Sequence, residues 1–262
     1  MKYKFDKDYP FAVWIGNLGK YNEGDLVGEW VKFPTTYQEM RGVMERIGIG
    51  QPVDPDDPLF GYYEEHYIGD YDCYVDGLMD VAGEYTSLDS LNMLAVQLES
   101  LNEPDYHKFV AAQSLVDCSS VDDLVHLAGN LHLYSLDPGV KNEYDLGYQH
   151  VAALRELRDN DEFDKCGYLW NHINYKSLGE EIASSLDGCF TNYGYVASLD
   201  ERNHQPLEDI LEELEKYKVT TSSEITGDIA QDLTTSAKSA REASVALKSA
   251  SLSPTQTQNK DR

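Results

Sequence analysis

An α+β fold in three successive blocks is predicted for this 262-residue chain, and three observations carry that prediction. Apolar residues alternate along Phe11, Val13 and Ile15, as a half-buried strand requires. From Thr86 the apolar spacing turns helical, with Leu88, Leu91, Leu94, Ala95 and Leu98 three and four residues apart. After "LDPG" at 136–139 helical and strand-like runs mix again. Apolar residues make up 41% of the chain, with 19 tyrosines, which is enough core material for most of it to fold.

In the first block, Phe11 to Leu18 and Gly28 to Phe33 read as two strands joined by a polar loop centred on Asn22, Glu23 and Gly24. Thr35 or Thr36 can cap a helix running to about Arg46, with Met40, Val43, Met44 and Ile47 on its buried stripe. "GIGQPVDPDDP" then breaks regular structure with three prolines, and "EEHYIGDYD" offers a third strand. The block spans residues 8–82.

The middle block, 83–135, reads as all helix. Ser87 is the expected N-cap of its first helix, a second runs from about Pro104 to Val116, and a third starts at "SSVDDL", where Ser120 and Asp123 match a capping box, and ends near Leu131. In the third block, 136–200, Tyr148, Val151, Ala152 and Leu154 to Leu157 mark a helix. Tyr168 to Leu186 holds one or two more, and "GCFTNYGYVASL" reads as a hairpin or long strand. Leu207 to Tyr217 is a short acidic helix. Residues 219–262 hold 15 Ser plus Thr with five acids against five bases, a composition that predicts a flexible tail able to order on a partner.

Charge narrows the function. The chain has 47 acidic and 21 basic residues, a net charge of −26. Residues 21–200 hold 34 acids and 9 bases, hence −25, so the folded body owns the imbalance. Between Ile47 and Val140 the only base is Lys108, against 18 acids. Such a body repels nucleic acid and anionic membrane and attracts basic protein surfaces. Solubility alone does not call for tyrosines between the carboxylates, as in "GYYEEHYIGDYDCYVDG" at 61–77.

Catalytic and metal chemistry find little support. There is no GxSxG elbow, P-loop, HExxH or GxGxxG. The seven histidines, His66, His107, His126, His132, His150, His172 and His204, lack metal-ligand pairing. "DCYVDGLMDVAGE" places Asp76 and Gly77 as an EF-hand loop would, but it has Tyr74 where an oxygen ligand belongs and Gly83 in place of the bidentate Glu. Carboxylate pairs for glycosidase chemistry are abundant but lack the distinct environments such a pair needs. No enzyme, cofactor or metal is expected. No run of roughly 18 apolar residues could span a bilayer, and "MKYKFDKDYP" lacks an apolar signal core, so a cytoplasmic protein is expected. Cys73, Cys118, Cys166 and Cys189, widely spaced without CxxC, fit reduced structural thiols.

The segment "FAVWIGNLGKYNEGDLVGEWVKFP" resembles the N-terminal signature of ArdA-type antirestriction proteins, a strand leading into a Gly-Lys-Tyr-Asn-Glu/Cys-Gly loop and then Gly-x-Trp. "GDYD" at 69–72, "EYTSLDSLN" at 84–92, "YLWNHINYKSLGEEI" at 168–182 and a following Gly-Tyr-Val strand are similar to family segments in the same order, so the resemblance covers roughly residues 11–200. It implies an elongated, three-domain DNA mimic that dimerises through its C-terminal domain and occupies the DNA-binding groove of type I restriction-modification enzymes. On that reading the mimic surface is expected at Glu23, Asp25, Asp54, Asp56, Asp57, Glu64, Glu65, Asp70, Asp72, Asp76 and Asp80, extended by Asp117, Asp122 and Asp123. The dimer contact is expected at Tyr168, Leu169, Trp170, Ile173 and Tyr175. The insert at 51–58 and the chain beyond about residue 200 depart from the family pattern. The competing reading is an acidic adaptor for another basic DNA-binding protein, such as a nucleoid or transcription regulator; a divalent-ion hydrolase is a third.

Overall fold

A computed structural model describes residues 2–157, 167–199 and 203–220. The predicted α+β class holds: two small antiparallel sheets are each covered by helices. Strand β1 (Phe11–Asn17) is central in the first sheet, between β2 (Gly28–Phe33) and β3 (His66–Cys73). Register pairs Phe11 with Phe33 and Val13 with Val31, and all four side chains are buried. The predicted alternation is correct, with Phe11, Val13 and Ile15 facing the core. On the opposite face Trp14 lies across backbone stripped of side chains, because a Cβ at Gly16, Gly28 or Gly69 would collide with its indole.

The polar loop expected after β1 is instead a short helix, α1 (Leu18–Glu23). Buried Asn17 caps it, its Oδ1 accepting from Lys20 N at 3.0 Å, and Gly24 closes it in the left-handed region at φ 97°. Asn17 ends a strand and starts a helix at once, so the strand pattern hid the cap.

Helix α2 (Tyr37–Arg46) starts at Thr36 with a full capping box: Thr36 Oγ1 accepts from Glu39 N, and Glu39 accepts from Thr36 N. Met40, Val43 and Ile47 are buried as the stripe required, with Met44 half-buried. A single turn, α3 (Leu78–Val81), follows β3. Helices α4 (Leu88–Ser100), α5 (Glu103–Ala112) and α6 (Val121–Gly129) make the helical middle, capped by Ser87, Asn102 and Ser120 respectively. Helices α5 and α6 stop a few residues earlier than their apolar spacing suggested.

The third block begins with a strand that the sequence reading missed, β4 (Tyr134–Asp137). It pairs with β6 (Gly194–Ser198), whose other edge carries β5 (Gly188–Thr191), in the order β4-β6-β5. Helices α7 (Glu143–Leu157) and α8 (Tyr175–Ser185) accompany this sheet. They approach closely at Gly147 and Gly179, where any Cβ would strike the backbone of Tyr175 or Glu143. The expected acidic helix is α9 (Leu207–Glu213), followed by a 3₁₀ turn at Glu215–Tyr217.

One hydrophobic core runs from Phe11 and Phe33 through Leu91, Leu94, Leu98 and Phe109 to Val196, Ile210 and Val219, and a smaller one joins Val140, Leu146, Tyr195 and Ala197. Residues Met1–Val219 form one compact unit. Buried Asn92 ties its start to its end: Oδ1 accepts from Thr35 N and Nδ2 donates to Tyr217 O, both at 2.7 Å. Asp89 adds a second tie, accepting from Val219 N at 2.6 Å. The flexible tail expected at 219–262 lies outside the described residues from 221 onward.

Candidate partner-binding surface

The acids expected to face a partner fall into two groups. One group is committed to holding the fold. Asp123 accepts from the backbone amides and hydroxyls of Ser119 and Ser120, at 2.9–3.0 Å, as the second half of the α6 capping box, and these hydrogen bonds outweigh burial to lower its pKa. Asp72 receives Lys7 Nζ at 2.8 Å, Tyr9 OH at 2.8 Å and Tyr74 OH at 2.7 Å. The Lys7 hydrogen bond, followed by those of Tyr74 and Tyr9, brings its pKa down to about 2. Glu23 accepts from Tyr63 OH at 2.7 Å and from Lys20 Nζ at 3.0 Å, and Tyr63 is the larger cause of its lowered pKa. Lys20 also sits 4.5 Å from the Tyr63 ring centroid. Asp76 accepts from Tyr193 OH at 3.2 Å, joining the first sheet's exit to the β5–β6 turn. Asp122, half-buried in the first turn of α6 with its Oδ1 buried and without a hydrogen-bond partner among the described residues, stands apart from both groups.

The other group is exposed and makes no ion pair among the described residues: Asp25, Asp54, Asp56, Asp57, Glu64, Glu65, Asp70, Asp80 and Asp117. Five of these nine fall in one loop and its return to β3. That loop is fastened at its base, where Val53 N donates to Gly61 O and Tyr63 N to Gln51 O, both at 2.9 Å. Within it Asp54 accepts from Asp56 N at 2.9 Å and Asp57 from Leu59 N at 3.1 Å, which fixes the backbone while leaving the carboxylates in solvent. Buried Tyr63, hydrogen-bonded to Glu23, brings the end of α1 beside this loop.

Sequence reasoning missed two features here. The first is Lys7, whose ion pair removes Asp72 from the unopposed set; "KYKFDK" holds the bases, but their target lies 65 residues away. The second is the exposed pair Leu59 and Phe60 at the loop's tip, visible as an apolar dipeptide among acids and prolines.

Of the residues expected to form a dimer contact, Trp170, Ile173 and Tyr175 are half-buried. Tyr168 and Leu169 lie in a 3₁₀ turn (Gly167–His172), and their side chains fall outside the described set. Tyr175 donates to Trp170 O at 3.0 Å and packs edge-on against Tyr144 and Tyr148, at centroid distances of 5.6 and 5.5 Å. Those two tyrosines, 53% and 54% exposed and one helical turn apart on α7, were not among the expected contacts.

Among the described residues no group of three or more His, Cys, Asp or Glu could hold a metal ion, and no helix is long and apolar enough to cross a membrane. Cys73, Cys118 and Cys189 are unpaired thiols whose pKa values burial pushes up, leaving them poor nucleophiles. Cys166 lies outside the described residues.

Fold and surface together define an acidic α+β protein whose distinctive chemistry is a set of exposed carboxylates on a rigid frame. The profile of the family described as antirestriction protein (ArdA) matches residues 13–197, more than half of the chain, and the chain belongs to that family. Membership implies an antirestriction function exerted on restriction enzymes. No curated protein matches the chain.

Proposed function

We propose that this antirestriction protein is a stoichiometric DNA mimic that occupies the DNA-binding groove of a type I restriction-modification enzyme, without catalysis. The observation that carries this reading is the run of unopposed carboxylates from Asp54 to Glu65 on a fastened loop, within a body of net charge −25 over residues 21–200. Duplex DNA carries one negative charge per about 1.7 Å of axis, so that body matches about 42 Å of duplex, or about 12 base pairs. Lysines and arginines placed for phosphates would meet Asp and Glu instead, which speeds encounter and makes it salt-sensitive. The three-part division of the chain, with the third part self-associating as a homodimer, belongs to the same proposal. The aromatic surface of Tyr144, Tyr148 and Tyr175 is its contact, and pairing would double the mimicked length. On this reading restriction is inhibited, and modification by the same enzyme is a second readout of the titration.

The test is a titration of purified protein into a type I enzyme bound to labelled target DNA, with a type II endonuclease as control. Release of DNA near one dimer per enzyme, weakening with salt while the type II reaction proceeds, supports the reading. No release at large excess transfers the function to an adaptor for a different basic partner.

A further inference from the structure

The loop between α2 and β3 carries something that a purely electrostatic mimic does not need. At its tip Leu59 is 96% exposed and Phe60 73% exposed, with Tyr62 beside them at 38%. A lone exposed leucine on a protein surface is ordinary, but adjacent large apolar side chains held out on a fixed turn mark an interaction surface. Their turn is fixed: Asp57 caps it through Leu59 N at 3.1 Å, and Phe60 N donates to Asp57 O at 3.0 Å. Below it, the bridge of Pro52 with Tyr62 and the bond from Gly50 N to Tyr63 O at 2.7 Å clamp the two arms together. Ordering entropy is thus largely spent before any partner arrives.

We infer that Leu59 and Phe60 are an apolar anchor that seats in the DNA-binding groove of the target restriction enzyme. The occupant is chosen by the surrounding charge. Asp54, Asp56, Asp57, Glu64 and Glu65 flank the tip, and the nearest bases in sequence are Arg46 and Lys108, so only a basic surface with apolar recesses is complementary. A groove built for duplex has that composition. It sets lysines and arginines against phosphates and places apolar side chains against thymine methyls and base edges between them. Carboxylates alone copy the first layer. Leu59 and Phe60 between carboxylates copy the second, and they supply the desolvated contact that governs dissociation where charge governs encounter.

This inference rests on the mimic reading and is separable from it. Full-length wild-type protein, the L59S/F60S variant, the conservative L59M/F60L variant and the D54N/D56N/D57N variant are compared for displacement of labelled duplex from a type I enzyme at several salt concentrations. The expected result is affinity lowered about tenfold or more in L59S/F60S, near wild-type affinity in L59M/F60L, and an unchanged salt slope in both. D54N/D56N/D57N should flatten the salt slope instead. All four should melt at the same temperature, since no altered side chain is buried. L59S/F60S binding within about twofold of wild type at every salt overturns the anchor. If wild type displaces DNA in that outcome, the mimic reading stands; if wild type displaces nothing, both fall.

Discussion

Asn92 shows how much one side chain can hold. Its amide is buried in α4 and fully used, accepting from the chain just before α2 and donating to the turn after α9. Asn92→Ala would leave Thr35 N and Tyr217 O without this partner, at about 1–3 kcal/mol each, so urea denaturation should show a loss of about 2–6 kcal/mol. At the surface, the Asp72 pair gives a pH signature. Its folded pKa, about 2, lies below the unfolded value, so its contribution is present above the unfolded pKa of about 3.9 and is lost as pH falls toward 2. Lys7→Met should therefore lower stability at neutral pH, by a small amount because the pair is exposed, and the difference from wild type should vanish as pH falls from about 4 to 2. Legibility at this scale follows sequence distance. Asp123 as a cap could be read from Ser120 three residues away, whereas the engagement of Asp72 by Lys7, Glu23 by Tyr63 and Asp76 by Tyr193 could not, since those partners lie 40 or more residues off.

At the scale of elements, capping and close packing make separate predictions. Ser120→Ala should cost about 1 kcal/mol by removing the α6 cap, and Asp123→Ala a similar amount. Neither should alter the salt slope of inhibition, in contrast to changes at Asp54, Asp56 and Asp57. Gly179→Ala places a methyl against the backbone of Glu143 and should lower stability by about 1–3 kcal/mol, measured by thermal melting. Helices α2, α4 and α6 were legible because a cap and a spaced stripe are local signals. Strand β4 was not, since four residues, Tyr-Ser-Leu-Asp, have no period to read and pair with a strand some 60 residues later. Helix α1 was masked by the strand that supplies its own cap.

For the whole molecule, the described body continues past the last strand. Residues 203–219 pack onto α4 and α6 through buried Ile210 and Val219, with Gln205 N bonded to Asn130 at 2.9 Å. A chain ending at Thr220 should keep the melting temperature of the full protein. One ending at Leu199 should melt well below it, having lost both apolar plugs and the partner of Asn92. Charge distribution was readable from the chain alone, because a count needs no geometry; which carboxylates stand unopposed needed the fold. On the proposed mimic reading the carboxylates act as a sum, so single neutralisations among them should each weaken inhibition only slightly.

The glycines beneath Trp14 carry a different implication. Gly16, Gly28 and Gly69 let the Trp14 indole lie against the sheet, and all three fall within residues 13–197, the stretch that the family profile matches. A signature of that kind identifies a scaffold. A match built on such residues reports the frame, and on the proposed reading the choice of enzyme lies with the exposed carboxylates instead. Sorting such proteins by target would therefore have to weigh the exposed acids of residues 51–65 apart from the residues that build the frame.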